Sequence, residues 1–120
     1  MMQSGTYFKV GDNSGAKLVQ CIQFTKRQMR IGDMITVAVK QALPADRGRV
    51  AKSKVYKAII CELKLKTGRV TGIHRRFDQN TVVLVNGQGD PLGTRVFCLG
   101  SFELRAAGRT KIASLAPMIF

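Results

Sequence analysis

The chain has no tryptophan, one histidine, three cysteines, three prolines and only seven acidic residues in 120. Each scarcity closes a class. A single histidine, His74, cannot assemble a His-based metal cluster. Cys21, Cys61 and Cys98 are odd in number, far apart in sequence and set among apolar neighbours. That spacing matches neither a disulfide framework nor a Cys-x-x-Cys metal site, so they read as buried free thiols in a reducing compartment. No apolar run approaches the roughly twenty residues that span a bilayer. Met1 to Val10 carries neither a charged-then-apolar signal pattern nor an Arg-rich amphipathic presequence. The seven acids are scattered, with no pair close in sequence of the kind that makes a coupled acid–base site. Aromatics are few as well, and most lie inside apolar segments where core packing is their expected place. Tyr56 and Phe77, each beside basic residues, are the two worth testing as base-stacking platforms.

What the chain has in abundance is positive charge, and in one stretch. Twenty Lys and Arg give a formal net charge of +13, and fourteen of them fall between Lys26 and Arg76 against three acids, Asp33, Asp46 and Glu62. A block of like charge repels itself and is explained by a polyanionic partner. Neutralising phosphates releases condensed counterions, which drives binding without any base being read. An anionic membrane surface is the rival partner, but basic amphipathic helices usually serve that role, and the basic stretch reads as strand and loop. An apolar content of 45% argues against disorder despite the charge. The length fits one domain, residues 1–120, with residues 101–120 as its helical end.

Thr6 to Val10 and Leu18 to Phe24 read as strands either side of Gly11-Asp12-Asn13-Ser14-Gly15, five turn-forming residues in a row. From Met34 to Gln41 the chain alternates, with Ile35, Val37 and Val39 on one face and Thr36, Ala38 and Lys40 on the other. Leu43 to Lys54 is a basic loop. Val55 to Leu65 is the longest strand expected, with Cys61, Leu63 and Leu65 facing away from Glu62, Lys64 and Lys66. A turn is expected at Thr67-Gly68-Arg69, a buried β-branched strand over 81–85, and a last strand from Arg95 to Leu99. Residues 102–107 and 111–116 suit two short helices separated at Gly108. Many short strands with frequent turns predict a mainly β fold, a small closed barrel whose closure removes exposed edges, flanked by the terminal helices.

Catalytic patterns are hard to find. Gly87-x-Gly89-x-x-x-Gly93 has the wrong spacing for a dinucleotide fingerprint, and the turn after Gly11 lacks a phosphate-loop Lys-Ser/Thr. An enzyme would have to use Cys61 or His74; none is expected, nor is any cofactor. Few stacking platforms and many phosphate-reaching side chains point to folded, helical RNA recognised by shape and backbone. A free-standing RNA-binding barrel stays open as the alternative.

Several segments, in order, resemble one family. They are Asp12-Asn13-Ser14-Gly15-Ala16-Lys17 with Cys21-Ile22; Ile31-Gly32-Asp33; Arg76-Phe77-Asp78 with Asn80 and Val82-Val83-Leu84; Gly93-Thr94-Arg95-Val96-Phe97; Glu103-Leu104-Arg105; and Lys111-Ile112-Ala113-Ser114-Leu115-Ala116-Pro117. Together they are similar, nearly end to end, to the universal large-subunit ribosomal protein fourteen family of the bacterial and organellar type. The resemblance implies a five-stranded β-barrel with C-terminal helices, seated on large-subunit rRNA at the subunit interface. It also implies bridges to small-subunit rRNA, contacts with neighbouring large-subunit proteins and a surface for a ribosome-silencing factor. By motif match, Thr94, Arg95 and Lys111 belong to that protein-facing surface. The residues expected to reach rRNA phosphates are Lys17, Arg30, Arg47, Arg49, Lys52, Lys54, Arg75, Arg76 and Arg105. Lys9 and Lys40, within strands, read as solvated faces. The chain departs from the family pattern at Cys61, where an aliphatic residue is usual, at Thr71 before Gly72, in a shortened tip from Thr25 to Arg30, and in the loop Val50-Ala51-Lys52-Ser53-Lys54. These departures point to a divergent ribosome, with the mitochondrial matrix favoured over a bacterial cytoplasm or plastid.

Overall fold

Alternation at a period of two drives most of this chain into strands. A computed structural model describes residues 5–24, 30–43, 50, 52–64, 67–68, 74–75, 79–98 and 102–116. The elements are β1 (Tyr7–Val10), β2 (Ala16–Phe24), β3 (Met34–Ala42), β4 (Val55–Glu62), β5 (Thr67–Gly68), β6 (His74–Arg75), β7 (Thr81–Val85), α1 (Phe102–Ala106) and α2 (Thr110–Leu115). Strands β1, β2, β3, β4 and β7 close into a barrel in that order. Every pairing is antiparallel except β1 with β7, where Lys9 meets Thr81 and Val10 meets Val82 in parallel. The expected five-stranded barrel with short C-terminal helices is what the chain forms.

The faces follow the sequence where the period is clean. On β3, Ile35, Val37 and Val39 are buried while Lys40 is exposed. All five residues of β7 are buried, and the loop that follows folds back along the strand, Leu92 N–H donating to Leu84 O at 3.0 Å and Pro91 bridging to Val85. Leu104 of α1 and Ile112 of α2 join the barrel core, so the helices cover apolar surface that the strands alone leave open. Gly32 lets α1 come close: a Cβ there would lie 2.7 Å from Ala107 Cβ, and its φ of +93° is one an L side chain avoids. The half-buried Arg109 locks the same contact by donating Nε to Gly32 O at 3.1 Å.

Three expectations are corrected. The strand over 55–65 ends at Glu62, and Glu62 is buried rather than outward-facing. The register explains both: Ile60 opposes Val82 and Glu62 opposes Thr81, so Cys61 is an extra residue in a β-bulge that breaks the alternation. The Glu62 carboxylate then accepts Thr81 Oγ1–H at 3.2 Å. Thr67 and Gly68 form no turn but pair with Arg75 and His74 in a two-stranded hairpin. Such a pair is too short for side-chain periodicity to mark it. Finally, 95–99 is no strand among the described residues. Val96 makes one isolated bridge to Asp12, because the neighbouring donors Thr94 N–H and Arg95 N–H are taken by a side chain.

The three cysteines are free and buried, as expected. The Cys98 side chain beside it, together with burial, pushes the Cys61 thiol well above its ordinary value. Among the described residues no helix is long and apolar enough to cross a membrane, and no group of three His, Cys, Asp or Glu could hold a metal ion.

Candidate nucleic-acid interface

Because neighbouring strands alternate in direction, the segments after β1, β3 and β7 leave from one end of the barrel and those after β2 and β4 from the other. The continuous basic stretch of the sequence is thereby divided. Lys52 and Lys54 lie at the first end, where Lys17 joins them from outside the stretch, and Arg30 and the hairpin carrying Arg75 lie at the second. Lys17, Arg30, Lys52 and Lys54 are all exposed.

Local backbone geometry sets how each is presented. Ala16 pairs with Ala42 and Leu18 with Gln41, which leaves Lys17 as the extra residue of a bulge that turns it outward. Lys52 and Lys54 flank Ser53, which has a φ of +69°. Ser53 N–H donates to Val39 O, and Val39 N–H donates to Lys54 O, both at 2.9 Å, so this turn is tied to β3. Buried Val50 anchors the loop just before it. At the other end Arg30 opens a tight turn: its N–H donates to Asp33 Oδ2 at 2.9 Å, and Asp33 N–H donates to Arg30 O at 3.1 Å. Arg105 lies on α1 and Arg75 on β6, with side chains outside the described atoms. Arg47, Arg49 and Arg76 lie outside the described residues, as does Phe77.

Thr94 and Arg95 form a second, separate feature. Both are exposed, and Asn13 clamps their backbone: Asn13 Oδ1 accepts Thr94 N–H at 2.8 Å and Arg95 N–H at 2.9 Å, while Asn13 Nδ2 donates to Thr94 Oγ1 at 2.8 Å. Gly93 is required beside this clamp, since a Cβ would fall 2.5 Å from Asn13 Oδ1. The adjoining Asp12 is buried, and its carboxylate accepts Ser14 N–H, Ser14 Oγ–H and Leu84 N–H. Burial pushes that carboxyl above its ordinary value of 3.8, against the opposing pull of these hydrogen bonds. Lys111 is exposed on α2 and pairs with Asp90, which lies on the same loop as Thr94 and Arg95. It is therefore not a free cation.

One residue with functional bearing escapes the sequence reading. Phe97 is 62% exposed, although it sits between buried Val96 and Cys98. The in-out-in alternation of Val96, Phe97 and Cys98 is the signal that marks it. Tyr56, the expected platform, is half-buried and packed against the core. Lys9 and Lys17 both line a groove at the foot of Phe97.

Comparison with known proteins agrees with this geometry. The whole chain, residues 1–120, matches the family model of ribosomal protein L14p/L23e. The large ribosomal subunit protein uL14 of Aquifex aeolicus (strain VF5) is 46% identical over 122 residues, covering 99% of this chain and 99% of that protein. A closed five-stranded barrel, basic turns at both of its ends and an end-to-end match lead to one assignment: the chain belongs to the ribosomal protein L14p/L23e family.

Proposed function

We propose that this protein is a non-catalytic structural constituent of the large ribosomal subunit that binds large-subunit rRNA through phosphates at both ends of its barrel. The observation that carries the reading is the placing of basic residues at opposite ends: exposed Lys17, Lys52 and Lys54 at one end and Arg30 at the other, each on a turn or bulge fixed by backbone hydrogen bonds. A barrel basic at both ends suits a position between two RNA surfaces. On this reading it sits at the subunit interface and helps bridge to small-subunit rRNA. Arg47, Arg49, Arg75, Arg76 and Arg105 complete the phosphate contacts. Thr94, Arg95 and Lys111 form the surface for neighbouring large-subunit proteins and a ribosome-silencing factor, supported by their exposure and by the Asn13 clamp. The departures at Cys61 and Thr71 favour the mitochondrial matrix as the compartment, which fractionation of the source cells tests directly.

Sucrose-gradient sedimentation tests the function. The protein is expected in the large-subunit fraction at moderate salt and is released from it as salt rises. Absence from that fraction at low salt overturns the reading and returns the free-standing RNA-binding barrel to first place.

A further inference from the structure

Beside Phe97 lies a groove of about 580 Å³, within the range of roughly 300–1,000 Å³ that takes a small ligand. Its floor is apolar, formed in part by Val10, Leu18 and Leu43, and its rim carries Lys9 and Lys17. The two lysines come from adjacent strands: Lys9 is the register partner of Leu18, the residue after the Lys17 bulge. Both are exposed, and neither has an ion pair with another described residue. Asp12 is the one acid on the described walls, and its oxygens are committed to Ser14 and Leu84. The groove thus presents an exposed aromatic ring, an apolar floor and two ammonium groups that are unpaired among the described residues.

An apolar peptide would cover Phe97 and the floor but leave both ammonium groups without a counter-charge. A nucleotide satisfies all three features at once. Its base stacks on the aromatic ring, its sugar lies on the apolar floor, and its flanking phosphates meet the lysines. We propose that this groove holds one unpaired nucleotide of RNA, stacked on Phe97 with its phosphates held by Lys9 and Lys17. This inference rests on the rRNA-binding reading above, and it assigns to Lys9 a contact where the sequence reads a solvated face.

Two arms test it with the full chain. In the first, Phe97 is replaced by photoreactive benzoylphenylalanine and irradiated large subunits are mapped. The expected product is a cross-link to a single rRNA nucleotide outside any helix. A cross-link to protein alone overturns the proposal and makes the groove a protein-docking site. In the second, the purified protein binds an unstructured RNA oligonucleotide carrying 2-aminopurine, whose fluorescence falls on stacking. Phe97→Ala is expected to weaken binding about 5-fold or more and to abolish the quenching, while Phe97→Trp retains both. Lys9→Ala and Lys17→Ala are each expected to lower the log–log salt slope by roughly one unit. Equal quenching by wild type and Phe97→Ala overturns the proposal. If the protein is missing from large subunits, the ribosomal reading fails and the oligonucleotide arm alone decides the groove.

Discussion

Asn13 shows how much one side chain can organise. Its amide serves two backbone donors and one hydroxyl on a loop some eighty residues away in sequence. In Asn13→Ala those donors turn to water, at a cost of about 1–2 kcal/mol of local stability. Amide hydrogen exchange at Thr94 and Arg95 is expected to accelerate about tenfold, with barrel amides unchanged. Unaltered exchange at both positions would mean that the loop holds its shape by other contacts. Asp12, next door, makes a prediction with a definite sign. Its folded carboxyl titrates above the ordinary value of 3.8, so the folded state binds more protons than the unfolded state from about that pH upward. The stability it contributes is full below 3.8 and is lost as pH rises through the raised folded value. Denaturant unfolding of wild type and Asp12→Asn at pH 7 and pH 4 should therefore show the difference moving in favour of wild type at the lower pH. The opposite trend would show that the hydrogen bonds from Ser14 and Leu84 outweigh burial. None of this local chemistry is legible in the sequence, where Gly11 to Gly15 reads only as a turn, because the Asn13 partners lie far along the chain.

At the scale of elements, legibility followed the cleanness of the period. β3 and β7 were readable because one alternates without interruption and the other is a β-branched run. The end of β4 is not legible because the Cys61 bulge shifts Glu62 inward, and a bulge depends on the register of the partner strand. The segment from Arg95 to Leu99 has strand-like residues, yet the Asn13 side chain takes the N–H of Arg95 and that of Thr94 just before it. The helices lie within a residue of their expected bounds, and Leu104 and Ile112 complete the core. Leu104→Ala is expected to cost about 2–5 kcal/mol, read as a lower denaturant midpoint with little change in slope. A loss below 1 kcal/mol would mean that α1 adds little to the barrel.

For the whole molecule, net charge points to a polyanionic partner, in keeping with the proposed rRNA binding, but carries no geometry. A stretch continuous in sequence is split by the up-and-down course of the strands, which sends alternate turns to opposite ends. Charge counting could not reveal that division, nor could it find Phe97, whose exposure depends on which way one residue points. The basic loop bears directly on the partner. Replacing Arg47, Arg49, Lys52 and Lys54 together by Ala is expected to reduce the log–log salt slope of rRNA binding by up to roughly four units, about one per lost contact. An unchanged slope would turn this loop away from phosphate.

The central claim is that both ends of the barrel engage rRNA phosphate, and one measurement tests it most directly. The salt dependence of rRNA binding is compared for wild type, for Lys17→Ala with Lys52→Ala and Lys54→Ala at the first end, for Arg30→Ala with Arg75→Ala at the second, and for all five together. The slope is predicted to fall by roughly three units, two units and five units respectively. A slope that responds to changes at one end only would contradict the two-ended account.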